Sequence, residues 1–230
     1  IKLCYAVKAN AFIVPCVSEL VERLEICSPG EYSICKRYGV PTAKMVISGV
    51  NKTPGWIQQV IEDDLRDNGS CHAVYTIESI LQGRILENAA QKSGITLSVL
   101  LRYSSGNQFG MDAIDLTEFV RTQRESYPHL LVEGIQYFSG TQRHSMKKNA
   151  RELAAVCKLM DELEQTYGVR CKELEYGTGF PVSYFQGNSF EEETFLQEFS
   201  ELILPLASTR KVTLEIGRSI AASCGSYAAK

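Results

Sequence analysis

A lysine closes the apolar run I-K-L-C-Y-A-V-K-A-N (residues 1–10), a place where Gly, Asn or Asp would turn the chain more cheaply. Lys8 is therefore either a surface solubiliser or an amine delivered to a site, where it could act as a nucleophile toward a carbonyl. Five other stretches carry comparable chemistry. Gly177-Thr178-Gly179 follows an apolar run, and small residues there let backbone N–H groups approach an anion such as phosphate, although a plain turn would use the same residues. E-I-G-R (215–218) sets a carboxylate and a guanidinium three residues apart. Glu215 and Arg218 could pair with each other, or grip different ends of one ligand, the arginine a phosphate and the carboxylate a protonated ring nitrogen. Arg102 ends another apolar run, Phe138 leads into S-G-T-Q, and Cys27-Ser28 leads into S-P-G-E.

Such groups become one site only if regular elements bring them together. The chain alternates β-like runs with helical stretches. Strands are expected at 2–8, 24–28, 44–49, 71–77, 95–103, 129–138, 172–177 and 211–217. Helices are expected between them at 13–23, 30–38, 54–65, 78–92, 114–125, 147–166 and 191–204. Ala150, Leu153, Ala154, Cys157, Met160 and Leu163 share one helical face, as do Phe195, Phe199, Leu202, Ile203 and Leu206. The strands read as near-continuous apolar runs, the pattern of parallel strands covered on both faces. Eight βα units in about 220 residues predict a single α/β domain over 1–230, a (β/α)8 TIM barrel. A doubly wound open sheet is the alternative.

In such a barrel, chemistry sits at the C-terminal ends of the strands. Lys8, Cys27-Ser28, Arg102, Phe138, Gly177-Thr178-Gly179, Glu215 and Arg218 all fall at predicted strand ends, on one rim. An amine, a phosphate nest and a carboxylate around one mouth suggest pyridoxal 5'-phosphate, its aldehyde held by Lys8 as a Schiff base.

The same segments resemble the barrel domain of the fold-type III pyridoxal phosphate-dependent decarboxylases, the diaminopimelate and ornithine decarboxylase family with its alanine-racemase-like barrel. Y-A-V-K-A-N (5–10) matches that family's Schiff-base motif. E-I-C-S-P-G-E (25–31) is similar to D-x-A-S-x-G-E, and R-Y-S-S-G-N-Q-F-G (102–110) to its arginine and K-F-G stretch. G-I-Q-Y-F-S-G-T-Q (134–142) is similar to G-x-H-x-H-x-G-S-Q, G-T-G-F-P-V-S-Y (177–184) to G-G-G-F-P-x-x-Y, and E-I-G-R to E-P-G-R. The resemblance implies that Lys8 is the Schiff-base lysine and that Thr141, Gly177, Thr178, Gly179 and Arg218 hold the phosphate. It implies that Glu215 keeps the pyridine nitrogen protonated, that Glu25 stands near the lysine with Ser28 and Glu31 after it, and that Arg102 lies near the cofactor face. The chain departs from the family at Phe138 in place of the ring-stacking histidine, Gln108 in place of lysine, Thr141 in place of serine and Thr178 in place of the middle glycine. A phenyl ring can stack but cannot donate a hydrogen bond, and Thr178 must adopt an ordinary backbone angle. Phe-Ser-Gly-Thr-Gln resembles members acting on carrier-bound or modified amino acids. The family's β-domain, with a cysteine and an aspartate that complete the partner subunit's site, is not contained in these residues, so the resemblance implies a barrel half lacking part of a catalytic site.

Composition sets the outer bounds. The hydrophobic fraction of 44% and charged fraction of 22% suit an ordinary globule, and a net charge of −3 gives no pull toward nucleic acid or anionic membrane. No run approaches the ~20 apolar residues that span a bilayer, and no leader segment is expected from the first residues. The eight cysteines lack C-x-x-C or zinc spacing and are expected to be buried free thiols of a reducing cytoplasm. His72, His129 and His144 are expected to be structural or surface groups. The implied function is an amino-acid α-decarboxylase acting on a small amino acid, free or carrier-linked, as a homodimer in the full-length protein. A racemase on the same barrel and a non-catalytic binding relative are the other readings. Racemases of this fold place an arginine rather than a carboxylate against the ring nitrogen.

Overall fold

The computed structural model describes residues 1–184 and 191–226. Eight strands form a closed barrel in sequence order: β1 (Lys2–Ala6), β2 (Arg23–Ile26), β3 (Met45–Ile47), β4 (Val74–Ile77), β5 (Leu97–Tyr103), β6 (Leu130–Phe138), β7 (Glu173–Gly177) and β8 (Lys211–Ile216). Every neighbouring pair is parallel, and β1 pairs with β8 from Lys2–Thr213 to Tyr5–Ile216, which closes the sheet and rules out the open doubly wound alternative. Helices α1 (Val14–Val17), α2 (Pro29–Arg37), α3 (Pro54–Asn68), α4 (Ile80–Ser93), α5 (Ala113–Ser126), α6 (Met146–Tyr167), α7 (Glu192–Ala207) and α8 (Arg218–Ala221) alternate with the strands. Among the described residues, no helix is long and apolar enough to cross a membrane.

The expected strands and most helices are present with ends moved by a few residues; two differences bear on the site. The strand expected to reach Lys8 stops at Ala6, and Val7–Ala9 form one 3-10 turn, so Lys8 stands just beyond the strand. The helix expected over 13–23 shrinks to the four residues of α1. Glu22 explains the loss: its N–H donates to the Leu3 carbonyl at 3.1 Å, and its carboxylate accepts the Leu3 N–H at 2.8 Å. That double bond to β1 forces the chain to be extended where the periodicity predicted a further turn.

The strands are also less uniformly apolar than they read. Alternate positions face opposite sides. One set, including Tyr5, Leu24, Ile47, Tyr75, Leu101, Ile135 and Tyr176, belongs to the main hydrophobic core. The other set faces the barrel interior. Cys4, Val46, Val74 and Leu100 form a small apolar cluster there, from β1, β3, β4 and β5. The rest of the interior is polar: Arg23 of β2 pairs with Glu173 of β7, two non-adjacent strands, so the contact crosses the lumen. Glu25, Thr76, Gln136, Glu175 and Thr213 are fully buried. Of the cysteines, only Cys4, Cys35 and Cys171 are buried, while Cys16 and Cys224 are exposed, so burial accounts for some of the thiols and not all. His129 pairs through Nδ1 with Glu87 at 2.7 Å and His72 with Ser70 at 2.9 Å, both at the N-terminal ends of their strands, away from the mouth.

Candidate active site

The C-terminal mouth of the barrel opens into a cavity of ≈ 830 Å³. Its wall includes Lys8, Phe138, Thr141, Thr178, Gly179, Glu215 and Arg218, seven of the sequence-predicted residues from four separate strand ends. Phe180, Tyr184 and the segment Ala9–Ile13 complete the side nearest solvent.

Lys8 lies between two carboxylates. Its Nζ is 2.7 Å from Glu25 Oε2 and 3.6 Å from Glu215 Oε1, with the Phe138 ring centroid at 5.8 Å. Burial alone would push the amine toward the neutral form; Glu25 and Glu215 outweigh it and hold the amine well above its ordinary value. Burial likewise opposes the Glu25 charge, but Lys8 wins, and the carboxyl is held down to about 2. Glu215 goes the other way: burial and the Glu25 charge raise it well above the usual carboxylate range. One of the two carboxylates is thus a fixed anion, the other a group poised to take a proton.

Two loops make the opposite wall and are tied together. The Arg143 N–H donates to the Gly179 carbonyl at 3.0 Å, and the Gln142 side chain exchanges two bonds with the Val182 backbone, at 3.0 and 2.7 Å. Gly179 has φ +57°, and a Cβ there would lie 2.0 Å from the Gly140 carbonyl oxygen, so only glycine fits. A Cβ on Gly177 would fall 2.3 Å from the Phe138 ring; the bare glycine is what lets that ring lie against the end of β7. Thr178 keeps an ordinary backbone angle, as expected of a β-branched residue. Its N–H (3.2 Å) and hydroxyl (3.4 Å) both donate to the Glu215 carbonyl, so within the G-T-G turn these two donors are used by the protein itself. Thr141 is exposed on the wall, and the Arg218 guanidinium lies 5.8 Å from the Tyr184 ring centroid.

Four predicted residues are not part of the cavity wall. Glu25 acts from beneath, through Lys8. Gly177 acts through Phe138. Ser28 is the N-cap of α2: its Oγ accepts the Glu31 N–H at 3.2 Å, and the Glu31 carboxylate reaches back to the Cys27 N–H at 2.8 Å. The S-P-G-E stretch is thereby accounted for as a variant of the capping box, with Pro29 in the first turn. Arg102, expected near a cofactor face, does not line the cavity. Its guanidinium lies 3.5 Å from Glu78, which Lys52 also faces at 3.7 Å, and 5.4 Å from the Phe109 ring centroid.

Sequence reasoning passed over Gln136 and Glu175, both fully buried behind Glu215. Gln136 Nε2 donates to Glu175 Oε1 at 2.9 Å and to Glu215 Oε2 at 3.4 Å. A signal was available: Gln136 lies two residues before Phe138 and Glu175 two before Gly177, the strand period that puts each on the side of its neighbour.

The closed parallel ring with its reactive groups at the strands' C-terminal mouth places the chain among the (β/α)8 barrels. Within that class it belongs to the pyridoxal-dependent decarboxylases, whose pyridoxal-binding domain matches residues 1–222. The chain is 25% identical over 241 residues to the diaminopimelate decarboxylase of Aquifex aeolicus, covering 97% of this chain and 55% of that protein. It is 28% identical over 242 residues to the Pseudomonas aeruginosa enzyme, again covering 97% and 55%. The fold is shared with a diaminopimelate decarboxylase from M. jannaschii in complex with L-lysine (TM-score 0.81, 22% identity, 95% and 54% covered). It is shared too with a lysine/ornithine decarboxylase from Vibrio vulnificus complexed with putrescine (TM-score 0.78, 21% identity, 96% and 57% covered). The chain spans about half the length of the curated relatives it matches.

Proposed function

We propose that this barrel binds pyridoxal phosphate and forms the cofactor half of an amino-acid α-decarboxylase of the diaminopimelate/ornithine type. The observation that carries the reading is the meeting of the Lys8 amine and the Glu215 carboxylate, 3.6 Å apart, in a cavity whose far wall offers Thr141, Gly179 and Arg218. An aldehyde, a ring nitrogen and a phosphate each find chemistry of the right kind there, and the donor set fits the group. Bound there, pyridoxal phosphate would supply the electron sink for the carbanion left as carbon dioxide departs.

The chain's own residues would divide the remaining work. Lys8 holds the aldehyde end. Glu25, a fixed anion, orients the amine and keeps it protonated until the site fills. Glu215, whose Oε1 faces Lys8 in the mouth, would as a carboxylate favour the protonated form of the ring nitrogen, and the pairing would in turn favour its own charged form over the neutral form that burial promotes. Arg218, Thr141 and the Gly179 turn take the phosphate, while Thr178 and Gly177 set the turn and the Phe138 ring that carry it. Phe138 offers a flat face to the ring, with no hydrogen bond to give. The substrate is a small amino acid, free or carrier-linked, and the longer protein works as a homodimer in a reducing cytoplasm; the resemblance supports these points. A carboxylate rather than an arginine beside Lys8 favours decarboxylation over racemisation.

The purified protein mixed with pyridoxal phosphate should gain a visible absorbance that Lys8→Ala lacks, and borohydride should fix the cofactor to the Lys8 peptide in mass spectrometry. No absorbance in either protein sinks the reading. The full-length protein should then release carbon dioxide from one member of an amino-acid panel; scrambling of the α-carbon without carbon dioxide release would select the racemase.

A further inference from the structure

We propose that Gln136 is a positioning residue that ties Glu175 and Glu215 into one buried unit and thereby turns Glu215 Oε1 toward Lys8 and the cavity. The inference deepens the cofactor reading and rests on it for its consequence, but not for its test. One amide nitrogen has two hydrogens, and here both have carboxylate acceptors, at 2.9 Å on Glu175 and 3.4 Å on Glu215. With Oε2 so occupied, the second Glu215 oxygen is the one that meets Lys8 at 3.6 Å. Gln136 and Glu175 are fully buried, and Glu215 is 6% exposed, so water cannot take over the amide's task.

The surroundings explain why such a tie is needed. Among the described residues, Glu25, Glu173, Glu175 and Glu215 share the barrel interior with Lys8, Arg23 and Lys211 as paired counter-charges, while buried Lys52, itself paired with Glu78, also acts on Glu25. Glu175 faces Arg23 of β2 at 3.7 Å, Glu25 of β2, Glu173 of its own strand and the Cys4 thiol of β1. Its Oε2 has no hydrogen-bond donor, and neither has Glu25 Oε1. Excess negative charge in this interior must be met by a proton or by a neutral donor. Gln136 is the donor that reaches both carboxylates, and each bond it gives favours the charged form. Removing it should raise the proton affinity of both acids.

Difference infrared spectra of the cofactor-free protein from pH 5 to 9 read this directly. The band of the protonated Glu215 carboxyl is assigned by its loss in Glu215→Gln. In Gln136→Met, which keeps the side chain's length, the midpoint should move up by about one pH unit, a tenfold gain in proton affinity. In Glu175→Gln it should move down, because a like charge is gone. A Gln136→Met protein with native circular dichroism and an unmoved midpoint overturns the inference, and so does an unmoved midpoint in Glu175→Gln if Gln136→Met does not fold. Pyridoxal phosphate titrations form a second arm: affinity should fall about tenfold in Gln136→Met relative to the unaltered protein. Failure of the unaltered protein to bind the cofactor would remove the cofactor reading and leave the titration result standing. Binding unchanged in Gln136→Met, with the cofactor held normally by the unaltered protein, overturns the positioning role.

Discussion

Lys8 carries its charge against the pull of burial, and it does so because Glu25 is 2.7 Å away and itself fully buried. In Glu25→Gln the opposing force loses its main counterweight, and Lys8 should titrate lower. The side chain is 46% exposed, so a reagent can reach it. At pH 8 an amine-acylating reagent should label Lys8 severalfold faster in Glu25→Gln than in the unaltered protein, as read by peptide mass spectrometry; equal rates would mean that Glu25 does not govern the amine. The lysine and the glutamate were both visible in the sequence, since Lys8 interrupts an apolar run and Glu25 opens the E-I-C-S-P-G-E stretch. Their nearness was implied by the resemblance; the 2.7 Å ion pair itself comes from the β1–β2 register, which sets Ala6 opposite Glu25.

At the scale of elements, the loops after β6 and β7 and the start of α2 are held by bonds within the protein. Ser28 caps α2, so Ser28→Ala should lower stability by about 1 kcal/mol, with cofactor affinity unchanged in a spectroscopic titration. Gly179 holds a left-handed turn 2.0 Å short of room for a Cβ. Gly179→Ala should therefore pull the 177–182 loop off the Gly140 carbonyl and weaken both cofactor binding and thermal stability, measured by absorbance titration and by the melting temperature. Most of these elements were legible: the helical periods and turn residues marked α2 to α7 and all eight strands. The short α1 was not, because the Glu22–Leu3 bonds that end it are contacts between residues 19 apart.

The whole molecule keeps several acids inside its barrel, and its stability should carry their signature. Burial, partly offset by Arg23 and Gln136, pushes Glu175 up to about 7 from an ordinary 4.5. The folded state then binds more protons than the unfolded state between those values, so this group's contribution to stability falls as pH rises from 4.5 to about 7. Glu175→Gln should remove that fall: the two proteins should differ little below pH 4.5 and diverge to about 3 kcal/mol in favour of the variant above pH 7. Glu25 acts with the opposite sign. Held down to about 2, it stabilises the fold above 4.5 and loses that effect as pH falls toward 2. Urea unfolding across this range checks both; a variant curve parallel to that of the unaltered protein would show that Glu175 keeps its ordinary proton affinity in the fold.

By itself the sequence determined the eightfold alternation of strand and helix, the family, and the identity of the reactive groups at the strand ends, because periodicity, turn chemistry and short motifs are local properties of the chain. The tertiary structure decided which of those groups share a cavity and which bonds they make within the protein: Arg102 with Glu78, Ser28 with its helix, the Thr178 donors with the Glu215 carbonyl. It alone revealed the polar interior that joins Glu215 to Gln136 and Glu175. The reason is physical: closure of the barrel sets side chains from distant strands face to face in a buried interior, and charges there are governed by neighbours that no local pattern specifies.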